Sequence, residues 1–325
     1  MEQIKISIII PCYKVAEYLP KCLDSIYQQN IDANLFEVIA IIDGSPDQSE
    51  DICLKYAQKH SNLKVIKIKN SGVYAARNIG INYSSGEYIW FVDPDDYVSQ
   101  DSLSNIILTL NKETLDILFF QFNRVDENGY AIENIKDNFK TENNHNTMSG
   151  IDFLNKVMLY STFLWCFVAK REIFNSIKFK ENMRSMGDAE YIPRMLLNIK
   201  RIKMESFIAY NYVCRNGSIS KRKKPSVNLL DGAYESLRTN LAIQKEYPNI
   251  IYFKEFTSYL TLTNIRLLSQ TDNYKLVKRF FSLIKSEKVN NIIYHGQDKK
   301  RRMMTIIYNI SPLLCFIISK LFKRQ

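Results

Sequence analysis

The first hundred residues alternate short apolar, β-branched runs with segments of helical periodicity, and three of those runs stop abruptly at a polar cluster. Residues 5–10 end at Pro11 and Tyr13, residues 36–42 at Asp43-Gly44-Ser45, and residues 88–92 at Asp93-Pro94-Asp95-Asp96. A fourth run, 65–68, lies between the last two. Continuous apolar runs of this length suit strands buried on both faces, the situation in a parallel sheet. Between them Leu19, Cys22, Leu23 and Ile26 share one helical face, as do Ile52, Tyr56 and Ala57, and then Ala75, Ala76 and Ile79 after Gly72. Ser45, with Pro46 behind it and Gln48 three residues on, reads as the cap of the second of these helices. Four βα units at such spacing predict a doubly wound, mostly parallel α/β sheet.

The rhythm changes after residue 100. Residues 102–110 read as a helix, 115–122 as a strand, and 123–148 as a polar loop or hairpin. The mixed pattern of 150–225 completes the sheet, and from about 226 apolar residues recur at helical spacing. Four regions result: 1–100 and 101–225 as two halves of one α/β domain, 226–298 as an appended helical region, and 299–325 as a distinct tail. A chain of 325 residues with 46% apolar and 24% charged residues is a folded globular protein rather than a disordered or fibrous one.

The net charge of +10 is unevenly placed. Lys299, Lys300, Arg301, Arg302, Lys320, Lys323 and Arg324 carry +7 of it with no acid among them, leaving +3 for the other 298 residues. Between the two basic clusters runs MMTIIYNISPLLCFIIS, 17 residues interrupted by Asn309, Ser311 and Pro312. That is short of the roughly 20 apolar residues a membrane span needs. The pattern predicts a segment lying in the headgroup region of an anionic membrane surface, with a terminal helix docked on the body as the alternative. Cations flanking an apolar centre do not make a nucleic-acid groove, where they would interleave with aromatics. Six Cys without a C-x-x-C pair and three isolated His fit neither zinc nor a disulfide scaffold. With no signal peptide in the first residues, the expectation is a cytoplasmic protein with free thiols, peripherally attached to the inner face of the cell membrane.

In open α/β sheets ligands sit at the carboxyl ends of strands, where all three polar clusters fall. The chain has no G-x-G-x-x-G and no phosphate-binding P-loop, which removes support for a dinucleotide dehydrogenase or a P-loop NTPase. Asp93 and Asp95, one residue apart at a strand end, can share a hard divalent cation completed by water and phosphate oxygens. A turn built from Asp and Pro is the plainer reading of the same four residues.

Taken together, the stretches IKISIIIPCYKVAEYLPKCLDSIYQQ, EVIAIIDGSPDQSEDICLKYAQKH, NSGVYAARNIGINYSSGEYIWFVDPDDYV and GDAEYIPRML resemble the inverting family 2 glycosyltransferases with the GT-A fold. The resemblance implies that Pro11 and Tyr13 line a nucleoside pocket and that Asp43 reads the donor base. It implies that Arg77, in Ala76-Arg77-Asn78, lies near the base or diphosphate. Asp93 and Asp95 correspond to the D-x-D pair, Asp93 nearer the ribose and both at a Mg²⁺ or Mn²⁺ ion. Asp188 corresponds to the catalytic base, with Glu190 as a second acid close by. Ile42 and Gly187 stand where the family often has acids. Arg215 and the basic stretch 216–224 resemble a loop that closes over the diphosphate. Trp165 falls where the family often places an aromatic near the acceptor, although core packing is the expected job for it.

The implied activity is transfer of one sugar from a nucleotide-sugar, UDP-linked by expectation, to a hydroxyl of a glycan or polyprenyl-diphosphate-linked acceptor. Capsule, exopolysaccharide or lipopolysaccharide assembly is the setting that fits a basic, apolar tail. The departures at Ile42 and Gly187 leave a second reading open: a homologue that binds nucleotide-sugar or glycan without transfer.

Overall fold

The computed structural model describes residues 4–132, 146–158, 160, 162–215, 224–294 and 298–322. Strand β1 (Ile6–Cys12) is buried along its whole length, as is β2 (Phe36–Asp43), which is why both are nearly unbroken apolar runs. Helix α1 (Leu19–Tyr27) connects them. Then come α2 (Ser49–Ala57), β3 (Leu63–Ile68), α3 (Val73–Tyr83), β4 (Tyr88–Phe91), the two-residue β5 (Tyr97–Val98) and α4 (Ser102–Lys112). The second half supplies β6 (Ile117–Val125), α5 (Gly150–Lys156), β7 (Phe167–Lys170), α6 (Arg171–Ser176), α7 (Gly187–Leu196) and β8 (Ile202–Val213). Five helices follow: α8 (Val227–Glu246), α9 (Ile251–Leu268), α10 (Tyr274–Ser286), α11 (Lys299–Ile310) and α12 (Pro312–Leu321).

One eight-stranded sheet runs β3-β2-β1-β4-β7-β6-β8-β5. Pairing is parallel from β3 through β4 and again between β6 and β8, and antiparallel where β7 and β5 join. The α/β class and the parallel first half are as the sequence predicts. Chain order reverses at β1, which has β2 on one side and β4 on the other, so a crevice opens beyond its carboxyl end. Glu37, buried in β2, ties this half together. Its carboxylate accepts from Ser7 Oγ at 2.6 Å, Ser85 N at 2.6 Å and Lys64 Nζ at 2.7 Å. These donors hold its carboxyl below the ordinary range although burial pushes the other way.

One local expectation fails. Ser45 does not cap α2, which begins four residues later behind Gln48. Asp47 takes the hydroxyls of Ser45 and Ser49, both at 2.6 Å, together with the Ala16 N–H at 2.9 Å, while Ser45 Oγ accepts from Lys14 N at 2.7 Å. A carboxylate is the stronger acceptor, so the serines serve to join the loops after β1 and β2. The expected strand at 115–122 starts two residues late and runs to Val125, where a bridge to Ala131 closes a short hairpin. Trp165 packs in the core, stacked on Tyr210 at 4.6 Å, with its carbonyl accepting from Trp90 Nε1.

The terminal segment docks on the body. Met304, Tyr308 and Cys315 are buried beside α9, and the Tyr308 hydroxyl donates to Val289 O at 2.8 Å. The opposite side stays open: Ile306, Ile310, Leu313, Ile317 and Leu321 are exposed. Among the described residues no helix is long and apolar enough to cross a membrane. Lys323 and Arg324 lie outside the described residues.

Candidate active site

Beyond the carboxyl ends of β1, β2 and β4 lies a cleft of about 740 Å³. Pro11, Tyr13, Asp43, Arg77, Asp93, Asp95 and Asp188 all line it, so residues up to 177 positions apart in the chain meet in one place. Asp43, at the end of β2, accepts from the backbone N–H groups of Ser71 at 2.6 Å and Gly72 at 2.8 Å. It thereby fixes the loop that starts α3. Gly72 has φ +91°, and a Cβ there would fall 1.8 Å from the Arg184 guanidinium, so the position admits only glycine with Arg184 in place.

Arg77 is the hub. It is projected from α3, its side chain only 5% exposed, and bonds Asp93 Oδ1 at 2.9 Å and Asp188 Oδ1 at 3.2 Å. Burial works against its charge, but the two carboxylates outweigh that and hold the guanidinium up. At Asp188 the balance differs. Burial pushes its carboxyl above the ordinary range, Arg77 pulls it back, and the charge of Asp93 pushes it up again. A carboxylate so placed is a better proton acceptor than one in water.

Tyr74, one turn before Arg77 on the same face of α3, was not singled out from the sequence. Its hydroxyl accepts from Gly187 N at 2.6 Å and donates to Asp188 at 3.4 Å. A Cβ on Gly187 would lie 2.3 Å from the Tyr74 ring, which is the physical reason for glycine where an acid was expected. The preceding residue, Met186, has φ +55°, a costly conformation for a non-glycine residue. It is held by Ser236 of α8, whose hydroxyl donates to its carbonyl at 3.0 Å. A helix outside the sheet therefore positions the start of α7. Glu190, the second acid, is not in the cleft lining. It is buried and paired with Arg194 and Lys180, both at 3.0 Å.

Asp93, Asp95 and Asp96 bring their oxygens within 4.8 Å of one another. Asp96 is spent on structure: it accepts from Tyr210 Oη at 2.9 Å and Val213 N at 2.8 Å. Burial, with the Asp93 charge, pushes its carboxyl up to about 8. Asp93 and Asp95 retain solvent access, and Asp95 is paired with Arg215, whose guanidinium stacks on Tyr18 at 4.0 Å. Two half-exposed carboxylates suit a divalent cation that keeps water and phosphate oxygens as its other ligands. Of the basic stretch expected to close over the cleft, 216–223 lie outside the described residues.

Residues 7–177 match the profile described as "Glycosyl transferase family 2". The chain belongs to that family. Among curated relatives of this family 2 chain is the minor teichoic acid biosynthesis protein GgaB of Bacillus subtilis. It is 31% identical over 233 residues, which cover 68% of this chain and 24% of that protein. Glycosyltransferase GlyA of Streptococcus pneumoniae is 29% identical over 83% of this chain and 40% of its own length. The family 2 chain thus spans less than half of either relative. Among solved structures, residues 1–349 of Staphylococcus aureus TarS in complex with UDP-GlcNAc superpose with a TM-score of 0.62 at 21% identity. That match covers 97% of this chain and 81% of the other. The likeness shows the GT-A fold.

Proposed function

We propose that the protein is a metal-dependent, inverting glycosyltransferase. It moves one sugar from a UDP-linked donor to a hydroxyl of a glycan or polyprenyl-diphosphate-linked acceptor at the inner surface of the cell membrane. Capsule, exopolysaccharide, lipopolysaccharide or related envelope-polymer assembly is the setting that GgaB, a teichoic acid protein by name, makes attractive. The observation that carries the reading is the Asp93–Arg77–Asp188 bridge. One guanidinium there bonds both Asp93, read here as the D-x-D acid, and Asp188, read here as the base, in a cleft at the strand-order reversal. The UDP-GlcNAc complex of a protein with this fold supports the donor class.

In this reading the base stacks by Pro11 and Tyr13, and Asp43 accepts from the uracil imide with the lone pairs its two backbone bonds leave free. Mg²⁺ or Mn²⁺ at Asp93 and Asp95 would neutralise the charge that collects on the departing diphosphate. Asp188 accepts the proton of the acceptor hydroxyl as its oxygen bonds to the anomeric carbon and the bond to UDP breaks on the other face. Arg77 keeps Asp188 ionised and oriented. The exposed apolar row of α11 and α12, rimmed by cations, lies on the anionic membrane that carries the acceptor.

Calorimetric titration of UDP with and without Mn²⁺, repeated on Asp95→Ala, tests the donor site. Metal-assisted binding that the variant loses is the expected result. Metal-independent binding that the variant retains would remove the D-x-D assignment.

A further inference from the structure

Outside the active-site cleft, one cavity has chemistry that nothing above uses. Between α9, α11 and α12 lies a solvent-open pocket of about 330 Å³ whose polar lining is strongly cationic, with Arg266, Lys300 and Arg301 against the single acid Asp298. Its other walls include Leu262, Met304 and Phe322. Arg301 stacks on Tyr259 at 4.2 Å, its Nε lies 3.6 Å from Asp298, and its Nη1 is buried with no hydrogen-bond partner. Asp298 is itself committed to capping α11 through Arg301 N. Among the described residues Arg266 makes no ion pair. Partial burial, and then the Arg301 charge, press it toward its neutral form.

Two guanidiniums facing one pocket repel each other, and one carries an unmatched buried N–H, so an anion that joins them relieves both. Guanidinium forks match phosphate oxygens, and the apolar walls beside them suit the first carbons of an alkyl chain. We infer that this cavity binds the phosphate of an anionic amphiphile, headgroup on Arg266 and Arg301 and chain against Leu262, Met304 and Phe322. The inference deepens the membrane reading above, giving the terminal helices a specific phosphate contact beyond general attraction to negative surface. The same chemistry would accept soluble phosphate, so the test separates the two sources.

The full chain is mixed with phosphatidylcholine vesicles containing either phosphatidic acid or fatty-acid carboxylate at matched surface charge, and its melting is followed in phosphate against chloride at equal ionic strength. The expected result is about tenfold preference for phosphatidic acid, the worth of one charge-assisted bond or more, and a melting rise of about 2 °C in phosphate. Arg266→Gln/Arg301→Gln abolishes both. Lys278→Gln/Lys285→Gln, the same charge change on α10, weakens binding to both vesicles alike and keeps the preference. If the double variant melts early, Arg266→Gln alone serves, because that residue is exposed to solvent. A phosphate-dependent rise lost in the variant, without lipid preference, assigns the site to soluble phosphate. Equal vesicle binding and no phosphate effect in the native protein overturn the site while leaving the membrane reading intact. If no vesicle is bound, the membrane reading fails and the melting comparison alone decides the site.

Discussion

Arg77→Met isolates the electrostatic centre of the cleft. Methionine keeps most of the stem that packs between Tyr74 and Phe91, whose rings lie 5.4 and 5.7 Å from the guanidinium carbon, and removes the charge. Taking one partner from a fully buried pair costs about 3–5 kcal/mol. Here the side chains of Asp93 and Asp188 keep 30% and 22% exposure, and water can reach both acids, so about 2–3 kcal/mol is the expectation near neutrality. The loss depends on pH with a definite sign. Asp188 already titrates above an ordinary carboxylate because burial dominates, and Arg77 is what pulls it down. Without Arg77 it titrates higher still, so between the two values the variant's native state holds a proton that the native protein and the unfolded chain do not. The stability gap therefore widens as pH rises from the titration of Asp188 in the native protein to its higher titration in the variant, and levels off beyond that. Thermal unfolding in the presence of a chelator, from acid to neutral pH, reads this directly. A melting difference of about 5 °C at neutrality should shrink to about 2 °C or less at the acid end. A gap that is constant, or that grows toward acid, would refute the claim that Arg77 offsets the charge of these two carboxylates.

Asp188→Asn should retain UDP affinity while lowering turnover about 10²–10⁴-fold in a UDP-sugar assay, as loss of a positioned base requires. Glu190→Gln should do the opposite, costing about 2–3 kcal/mol in denaturant unfolding through its pairs with Arg194 and Lys180 while turnover of the folded enzyme is unchanged. The reverse pattern would exchange their roles. Gly187→Ala forces the Tyr74 ring to move and should cost about 1–3 kcal/mol, with a fall in turnover because the ring's hydroxyl is bonded beside Asp188. An alanine variant as stable and as active as the native protein would show that the contact is slack.

The strands of the first half could be read from the sequence because burial on both faces leaves no room for polar residues, as in β1 and β2. Their ends could be read because Asp43 and Asp93 interrupt those runs at the position where a doubly wound sheet binds ligands. Ser45 misled because capping signals are local, whereas Asp47 competes for the same hydroxyl from within the loop. The coupling of Arg77 to Asp188 spans 111 residues and has no local signature. Tyr74 could have been found, since it sits one turn from Arg77 on the face that α3 turns to the cleft. The tail was legible as amphipathic, but its division into a docked side and an open side depends on α9, which is buried nearly all round.

The Arg77 bridge also bears on why the chain tolerates so much buried charge. A buried ion pair is weak evidence of stability, because apolar residues of similar volume commonly do as well. Tyr74, Phe91 and Phe179 already form an aromatic wall there, and an apolar side chain at position 77 would extend it. Arginine instead connects a carboxylate at the end of β4 to one at the start of α7, and Tyr74 and Ser236 steady the second of these from two further elements. Such an arrangement fixes the two acids relative to each other at a solvent-open cleft, which stability alone does not require and the proposed transfer, with a base positioned against a departing diphosphate, would. On the proposed reaction the buried charge is accounted for by the positions it imposes on the two acids, and the pH-dependent gap in Arg77→Met measures the electrostatic coupling that imposes them.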